Sequence, residues 1–420
     1  MNAPQHTGLE RAWPGDGEVA TRVPSYVYTD PDIYALEQER IFRGPVWNFV
    51  GLEDEVRRPG DYKSTLIGDT PVVIARDAAG ELHAWVNRCA HRGALVCREL
   101  RGNAETFTCV YHQWSYDAAG RLIGVPFRKG LGGKGGYPAD FDLAAHGLRE
   151  LRIETFQGTL FVSFSEQTPP LEQYIGPQTA HHMARIFNRP VTLLGTHRQY
   201  MKGNWKLYAE NPRDGYHASL LHLFFPTFGL FRASQQAHVM VENEGLNTCL
   251  YVYSKKEDAA VKAETAQQAA RTYQEDTYAL QDPRLLRSVP EFDDEIDLVI
   301  IDVFPIMMMQ QLGNCLNIRQ FVPHGVDGVE VIYYYFGYHD DTPELTEQRL
   351  KQVNLLGPAG LVSLEDGHAI ELAHQGNAGY PEMSSFIEMG GREILTDHGF
   401  AATEDPVRGF WTGYRRMMGL

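Results

Sequence analysis

Two short Cys/His motifs constrain the fold of this chain more than any other feature. Cys89 and His91 form a Cys-x-His pair, and Cys109 and His112 form a Cys-x-x-His pair after seventeen intervening residues. A separation of one or two residues lets a tight turn direct two side chains at one metal site. The pattern therefore predicts two loops of a single domain that converge on a metal centre.

The order of the ligands separates a zinc site from an iron–sulfur cluster. Finger-type zinc sites group the two cysteines together and the two histidines together. In a Rieske [2Fe-2S] centre two histidines replace two cysteines on one of the irons, and each loop supplies one residue of each type. Each motif here contains one Cys and one His, so we predict a Rieske cluster held by Cys89, His91, Cys109 and His112.

The residues around these motifs are typical of a small all-β domain. From 45 to 165 the chain forms short runs rich in β-branched and aromatic residues, separated by turn residues. The sequence Asp-Ala-Ala-Gly occurs at 77–80 and at 117–120 and predicts two hairpin turns. Both ligand pairs are expected at hairpin tips, and the Gly-rich piece 129–138 is predicted to be a surface loop.

The remaining residues predict a mixture of helices and strands. The segment 204–225 is predicted to be long and largely helical, and a second helix is predicted over 257–276. Consecutive antiparallel strands are predicted over 297–312, 315–323 and 328–339. Pro169 and Pro170 indicate a domain boundary. The predicted fold class is α+β, with a small all-β domain at 45–165 and a larger domain, formed by 1–44 and 166–420, in which helices surround an antiparallel sheet (helix-grip type).

Charge and composition argue against two classes of partner. The formal net charge of −16 disfavours nucleic acid and anionic membranes, because both reward dense Lys/Arg surfaces. The most apolar run, 298–312, is interrupted by Asp302 and Pro305 and is shorter than the ~20 residues of a membrane helix. Five cysteines, an odd number, favour reduced thiols over a disulfide framework. We expect a cytoplasmic protein in which Cys97, Cys249 and Cys315 are buried.

A second group of candidate metal ligands lies at 210–222, ENPRDGYHASLLH. His217 and His222 are five residues apart, so on an ideal helix they would point about 140° apart and would not share a face. Pro212 and Gly215 provide a cause for a break that would let both imidazoles reach one ion. The histidine pair alone does not require such convergence.

A third ligand for this second site is available near 357–367, GPAGLVSLEDG. Glu365 and Asp366 stand there beside a Gly-rich turn. Two histidines and one carboxylate form the facial triad of non-haem iron(II) oxygenases, which leaves positions open for dioxygen. The alternative is a helix start whose acidic residues face water.

Together these motifs resemble those of the large (α) subunits of Rieske non-haem iron aromatic-ring-hydroxylating oxygenases. The resemblance covers nearly the whole chain and rests on RVPSYVYTD at 22–30, CAHRGALVC at 89–97, NWKLYAENPRDGYHASLLHLFF at 204–225, RLKQVNLLGPAGLVSLEDG at 349–367 and FIEMGG at 386–391. It implies that the four cluster residues bind [2Fe-2S] and that His217, His222 and Asp366, rather than Glu365, bind a mononuclear Fe(II). Pro212 and Gly215 depart from the family pattern without touching the ligands.

The resemblance also implies how electrons reach that iron. Asp214 matches the aspartate that links an iron ligand in one subunit to a cluster histidine, here His112, in its neighbour, and Asn211 matches an active-site asparagine. Such a bridge requires an oligomer, either a homotrimer of α subunits or α3β3 with a small β subunit. Electrons from NADH would arrive through a separate reductase, with or without a ferredoxin, and O2 would be the co-substrate.

Within the family, the chain is similar to large subunits that act on substituted benzoates. The segments 41–53, 84–99 and 109–115 are nearest to those of anthranilate 1,2-dioxygenation, which releases ammonia and carbon dioxide and gives catechol. Salicylate 5-hydroxylation to gentisate and dioxygenation of terephthalate or a 2-halobenzoate are the alternatives, and an iron–sulfur electron-transfer protein is the non-enzyme alternative. Arg319 is the candidate anchor for the substrate carboxylate, because a buried anion must be paired; an outward, surface-paired arginine is the other interpretation.

Overall fold

The computed structural model describes residues 13–15, 17–269 and 278–420. Its strands form four separate antiparallel sheets, and most helices are grouped around the largest of them. This arrangement confirms the predicted α+β class. The predicted helix over 257–276 is observed as Ala259–Ala269, and residues 270–277 lie outside the described part.

The first large sheet has seven strands. In spatial order they are Asn48–Leu52, Thr159–Ser163, Glu150–Phe156, Leu82–Val86, Thr70–Arg76, Asp61–Ile67 and Arg101–Asn103. Asp77 begins the first Asp-Ala-Ala-Gly turn, and its Oδ1 accepts hydrogen bonds from the backbone N–H groups of Ala79 and Glu81. Asp117 closes the second turn in the same way, so both predicted hairpin turns are observed.

A small three-stranded sheet lies beside the seven-stranded one and consists of Phe107–Thr108, Ser115–Tyr116 and Leu122–Gly124. It has its own hydrophobic cluster, in which Trp85, Phe107 and Trp114 pack around the cysteines of the two motifs. The Cys109 motif lies on a hairpin tip, as predicted. The Cys89 motif does not, because the strands on either side of it, Leu82–Val86 and Arg101–Asn103, do not pair with each other.

The second large sheet has eight antiparallel strands. In spatial order they are Val191–Met201, Val329–Tyr338, Cys315–Pro323, Met307–Leu312, Leu298–Val303, Asn247–Glu257, Gln235–Glu242 and Asp397–His398. The predicted strand 297–312 is two strands, since Pro305 has no N–H for a ladder and lies in the turn between them. The three methionines that follow Pro305 are buried in the core.

The helices pack mainly against the eight-stranded sheet. They are Tyr26–Thr29, Pro31–Glu37, Leu171–Ile175, Pro177–Ile186, Trp205–Glu210, Ala218–Leu221, Phe224–Thr227, Ala259–Ala269, Pro343–Leu356, Ser363–Gly379 and Asp405–Met418. The prediction of one long helix over 204–225 is wrong. That segment is a six-residue helix, a 3₁₀ turn at Asn211–Arg213 and two four-residue helices. Pro212 removes a backbone donor and ends the regular hydrogen bonding there.

The two large sheets share one core. The ring of Phe49, from the first sheet, meets the ring of Tyr334, from the second, with centroids 5.7 Å apart. At the same boundary buried Lys63 donates to Glu55 over 2.6 Å and to Tyr334 over 3.1 Å. The amino-terminal strand Arg22–Pro24 crosses to pair with Ser384–Phe386. The sheets therefore hold fixed positions within one chain.

Two further expectations concern burial and membrane insertion. Cys97, Cys249 and Cys315 are buried, as predicted. Within the described residues, no helix is both long enough and apolar enough to span a bilayer.

Candidate metal centres

The two Cys/His loops meet at one end of the small sheet. The ring centroids of His91 and His112 are 4.4 Å apart, and Cys89 and Cys109 are buried in the same cluster of side chains. Nδ1 of His91 is buried and has no hydrogen-bond partner among the described residues. Two thiols and two imidazoles brought together, with a buried ring nitrogen left unpaired, fit a [2Fe-2S] cluster of the Rieske type.

The two loops have the same backbone pattern. The N–H of each cysteine donates to the carbonyl five residues later, that of Ala94 or Trp114, over 2.8 and 2.9 Å. The N–H four residues after each cysteine donates back to the cysteine carbonyl. At that position Gly93 and Gln113 both have a positive φ, which closes each turn tightly. The matched turns place one Cys and one His from each loop at the same end of the domain.

Aromatic side chains hold the two loops. The indole of Trp114 stacks on the imidazole of His91, with centroids 4.8 Å apart and planes 9° apart. The hydroxyl of Tyr116 lies 3.2 Å from Cys89 Sγ and accepts a hydrogen bond from the Ala90 N–H. Burial lowers the pKa of His91, and the nearby His112 and Arg92 lower it further, which favours the neutral imidazole that binds metal.

The second candidate centre brings together His217, His222 and Asp366. Nε2 of His217 lies 3.4 Å from Asp366 Oδ1, and Nε2 of His222 lies 3.0 Å from the same oxygen. One ligand atom from each residue lies within 4.8 Å of the others. Two imidazoles and one carboxylate are the donor set of a mononuclear ferrous site, so these residues fit the predicted ion.

The broken helix explains this convergence. His217 and His222 bracket the four-residue helix Ala218–Leu221 instead of occupying positions within one continuous helix. A Cβ at Gly215 would lie 2.2 Å from the carbonyl oxygen of Ala401, so only glycine fits where the chain turns before His217. The predicted angle of about 140° between the two histidines therefore does not apply.

Each histidine of this centre is held through its other ring nitrogen. Nδ1 of His217 lies 3.1 Å from Asp214 Oδ2, and Nδ1 of His222 lies 3.0 Å from Glu365 Oε2. Burial lowers the pKa of His217, but hydrogen bonds with Asp214 and Asp366 raise it, giving a net value of about 10. Burial raises the pKa of Asp366, but its contacts with the two histidines lower it well below its ordinary value. Both Nε2 atoms are thereby oriented towards the same point.

A cavity opens beside the three candidate iron ligands. Most of its wall is apolar and comes from Phe225, Phe231, Leu250, Leu298, Ile300, Met308 and Val362. Its polar wall includes Gln310, Arg319 and Ser363. The structure thus places Arg319 in the same cavity as the candidate iron ligands, and not on the surface.

Arg319 is buried and its guanidinium is surrounded by neutral acceptors. Its nitrogens donate to Tyr208 Oη over 3.0 Å, to Gln310 Oε1 over 2.8 Å and to Ser363 Oγ over 3.1 Å, with longer contacts to Asn317 Oδ1 and the Leu356 carbonyl. No carboxylate in the described part of the chain lies within ion-pair distance of it. Burial lowers the pKa of Arg319, but the neighbouring Tyr208 and Tyr333, together with the charge of Asp366, outweigh that and raise it, so the guanidinium stays charged.

A second cavity lies on the other side of His217, lined by Tyr28, Glu210, Asp214 and Glu404 among others. Glu210 is deeply placed and accepts hydrogen bonds from the Tyr28 hydroxyl over 3.1 Å and from the Trp411 indole over 2.6 Å. Burial raises the pKa of Glu210 to about 7, although these two donors lower it. Asp214, the predicted bridging residue, lines both this cavity and the one that contains Arg319.

Sequence reasoning missed several residues of these sites. The sequence predicts Glu365 as a metal ligand or as an acidic residue of a helix start, and not as a partner of His222, because that contact joins residues 143 positions apart. Tyr208, Gln310 and Ser363 around Arg319 had no recognisable motif. Trp114, which stacks on His91, was also missed. Its position two residues after the cluster histidine His112 was a sequence signal that could have indicated it.

Comparison with known proteins is consistent with this geometry. Residues 46–138 match the model of the Rieske [2Fe-2S] domain, and residues 179–420 match that of the ring hydroxylating alpha subunit (catalytic domain). The chain therefore belongs to the family of ring-hydroxylating oxygenase alpha subunits, with a Rieske domain followed by a catalytic domain, and these imply a [2Fe-2S] cluster and a non-haem iron.

Several relatives match almost end to end. The chain is 48% identical over 400 residues to the large subunit of anthranilate 1,2-dioxygenase from Burkholderia cepacia, covering 95% of this chain and 94% of that one. It is 44% identical over 403 residues to terephthalate 1,2-dioxygenase, terminal oxygenase component subunit alpha 2, from Comamonas sp., covering 96% and 97%. It is 41% identical over 414 residues to the large oxygenase component of salicylate 5-hydroxylase from Ralstonia sp., covering 97% and 96%.

Solved structures share the fold at lower identity. The crystal structure of naphthalene 1,2-dioxygenase from Rhodococcus sp. bound to indole has a TM-score of 0.78 at 21% identity, with 94% of each chain covered. At this identity the likeness describes the fold alone.

Proposed function

We propose that this chain is the large subunit of a multicomponent terminal oxygenase that hydroxylates the ring of an aromatic carboxylate. The observation that carries the substrate class is Arg319, a buried charged guanidinium with only neutral acceptors around it, in the cavity of the candidate iron ligands. A buried cation with no directly paired carboxylate is costly, and a carboxylate that enters this cavity provides such a partner.

The shape of the cavity supports an aromatic ring attached to that carboxylate. The cavity that Arg319 shares with the ligand set is lined by aliphatic and aromatic side chains such as Ile300, Met308 and Phe225. Burial of a ring against them is favoured by the hydrophobic effect, while Arg319 fixes which end of the substrate points away from His217 and His222. Binding thus sets which ring carbons face the ligand set.

Within aromatic carboxylates, anthranilate is our first choice. The three relatives that match nearly end to end are named for anthranilate, terephthalate and salicylate, which are all benzoates. Dioxygenation of anthranilate at the carbons that carry the amino and carboxyl groups gives a diol, and loss of ammonia and carbon dioxide from it yields catechol. Salicylate 5-hydroxylation and dioxygenation of terephthalate or a 2-halobenzoate are the second candidates, because Arg319 can anchor any of these carboxylates.

We assign the chain's own residues the following roles. Cys89, His91, Cys109 and His112 hold the cluster, and His217, His222 and Asp366 hold the ferrous ion. When bound, the cluster would supply single electrons, which originate from NADH through a separate reductase with or without a ferredoxin, and the ferrous ion would supply the site at which they activate O2. Asp214 orients His217, and Asn211 donates to Asp366 over 3.2 Å. The apolar wall keeps water away from the reacting ring.

We further propose that the electron crosses between two copies of the chain, from His112 of one to Asp214 and His217 of the next. Asp214 is partly exposed on an open cavity, where a neighbour can reach it. The cluster loops carry exposed apolar side chains, notably Leu95, Val110 and Tyr111. A chain whose cluster loops meet the same catalytic face on the next copy forms a closed ring when the rotation between copies closes, as in a trimer with or without a small β subunit.

Charge distribution supports the same contact. The cluster-bearing residues 88–149 contain nine Lys/Arg and five Asp/Glu, whereas the whole chain has a formal net charge of −16. When copies assemble head to tail, the cationic stretch 88–149 of one copy therefore faces the acidic catalytic part of the next. The cationic stretch lies inside the proposed Rieske domain, 45–165, and the excess of acidic residues lies in the proposed catalytic domain, 1–44 with 166–420.

Product analysis tests the proposal directly. Purified, iron-loaded protein is supplied with NADH, O2 and a reductase system and incubated with anthranilate, salicylate, 2-chlorobenzoate and terephthalate in separate reactions. We expect catechol from anthranilate, with one NADH oxidised per product. Hydroxylation of naphthalene or biphenyl in preference to every carboxylate would overturn the assigned substrate class. An electron-transfer protein would bind two irons per chain and give no product.

A further inference from the structure

Glu365 and Asp366, adjacent in sequence, contact opposite nitrogens of the same imidazole. Asp366 Oδ1 lies 3.0 Å from His222 Nε2, and Glu365 Oε2 lies 3.0 Å from His222 Nδ1. Both carboxylates come from the first turn of the helix Ser363–Gly379. His222 is 3% exposed, so its Nδ1 has little access to water as a substitute partner.

The contact between Glu365 and His222 Nδ1 is the counterpart of the contact between Asp214 and His217 Nδ1. In both pairs a carboxylate accepts from Nδ1 at about 3 Å while Nε2 faces Asp366. A carboxylate on one ring nitrogen fixes the proton there and leaves the lone pair of the other nitrogen for a metal. The two pairs differ in origin: Asp214 belongs to the same loop as His217, whereas Glu365 comes from a different helix.

We propose that Glu365 is a positioning residue that sets the tautomer and ring orientation of His222 and so strengthens metal binding by His217, His222 and Asp366. The inference rests on the proposed function in one respect, that the ion bound there is ferrous iron. It assigns to Glu365 a role that is separate from ligation and separate from the predicted bridge at Asp214.

The surroundings of Glu365 make this role testable without unfolding the protein. Its side chain is 40% exposed and lines an open surface groove together with Tyr200, Leu364 and Leu372. Truncation at such a position leaves no buried cavity and no unpaired buried charge. The competing role for Glu365 is purely structural. An acidic residue in the first turn of a helix stabilises the helix through its dipole, by a fraction of a kcal/mol.

Two substitutions separate these roles. Glu365→Gln removes the charge that favours the helix start but keeps an oxygen that can accept from His222 Nδ1, whereas Glu365→Ala removes both. Glu371→Gln is the matched control, because Glu371 lies on the same helix and lines the same groove. Its one side-chain hydrogen bond among the described residues is accepted from the Lys202 backbone N–H, and the amide oxygen can still accept it. The visible spectrum of the [2Fe-2S] cluster serves as an internal check of folding.

The measurements are the Fe(II) dissociation constant, by competition with a chelator, and the electron paramagnetic resonance spectrum of the nitric oxide adduct of the ferrous site. We expect Glu365→Ala to weaken iron binding by roughly 10- to 100-fold and to change the spectrum, with Glu365→Gln retaining most of the affinity. Glu371→Gln should match the wild type.

Failure of this inference is distinguishable from failure of the proposed function. Equal iron affinities and identical spectra for Glu365→Ala and the wild type would overturn the positioning role, even if the wild type hydroxylates anthranilate. Equal losses in Glu365→Ala and Glu365→Gln would assign the effect to charge alone and would also overturn it. A wild type that binds iron tightly but oxidises no aromatic carboxylate would overturn the proposed function and leave the role of Glu365 intact.

Discussion

The side-chain amide of Asn211 donates a hydrogen bond to Asp366 Oδ1 over 3.2 Å. That oxygen also faces both histidines of the candidate iron centre, so Asn211 constrains the carboxylate that joins them. The two residues are 155 positions apart, and the contact joins the broken helical segment to the start of the helix Ser363–Gly379. Asn211 therefore acts on the site through Asp366.

Replacement of Asn211 by alanine should loosen that carboxylate. A hydrogen bond to a charged group contributes on the order of 1.5 to 3 kcal/mol, and its loss should weaken Fe(II) binding by roughly 10- to 150-fold. The measurement is iron content after dialysis against a chelator, with the cluster absorbance as the folding control. Unchanged iron retention would show that Asp366 is held without Asn211.

The sequence predicted the elements of these sites better than their connections. The Cys/His spacing predicted the two cluster loops, because ligand spacing is a local property of a turn. The segment 204–225 was wrongly predicted as one helix, since helical periodicity does not reveal that Gly215 must pass within contact distance of the Ala401 carbonyl. Contacts such as Glu365 with His222, or Glu210 with Trp411, join residues far apart in the chain, and only the folded structure brings them together.

Arg319 should control binding of the substrate carboxylate. Replacement by glutamine keeps hydrogen-bonding capacity but removes the charge, and we expect KM for anthranilate to rise roughly 100-fold, in line with the 2 to 5 kcal/mol lost when one partner of a buried charge pair is removed. Steady-state kinetics with anthranilate and with anthranilamide measure this. The wild type should strongly prefer the acid, and Arg319→Gln should lose that preference. Retained preference for the acid would place the anchor elsewhere.

Asp214 should matter for electron delivery more than for substrate binding. Asp214→Asn keeps an acceptor near His217 Nδ1 but removes the charge, so we expect substrate affinity to change by less than about threefold and turnover to fall by at least roughly 100-fold. Single-turnover oxidation of the reduced cluster, followed by absorbance, measures the transfer step.

Mixed assemblies test whether that transfer crosses between copies. An Asp214→Asn chain and a His112→Ala chain are each expected to be inactive, because the first lacks the bridging carboxylate and the second lacks a ligand of the cluster. Co-expressed in one oligomer, they should recover part of the activity, since intact cluster loops can meet an intact catalytic face. Absence of recovery in verified mixed oligomers would contradict the proposed crossing.

His112 should raise the reduction potential of the cluster. Rieske centres lie at roughly −150 to +300 mV and all-cysteine clusters near −400 mV, because neutral imidazoles remove negative charge from the cluster. His112→Cys should therefore lower the potential by on the order of 100 mV or more, as measured by spectroelectrochemistry. Tyr111→Phe, at an exposed position beside it, is the control and should leave the potential unchanged. Equal potentials in wild type and His112→Cys would remove His112 from the ligand set.

Glu210 should make stability depend on pH. Burial raises its pKa from 4.5 to about 7, while Tyr28 and Trp411 donate to it and Asp214 and Lys206 are the charged neighbours that also act on it. The folded state therefore holds a proton that the unfolded state releases at lower pH. The stability from this group is fully present below about pH 4.5 and is lost as pH rises through 7.

Replacement of Glu210 by glutamine should abolish that loss, because the amide stays neutral and can both accept from Trp411 and donate to Tyr28. The variant and the wild type should have similar unfolding free energies near pH 5, and the variant should be more stable by about 3 kcal/mol at pH 8, since one pKa unit corresponds to about 1.4 kcal/mol. Denaturant unfolding at several pH values measures the difference. A difference that stays constant from pH 5 to 8 would mean that Glu210 is ionised throughout, and that Tyr28 and Trp411 together offset the cost of burying its charge.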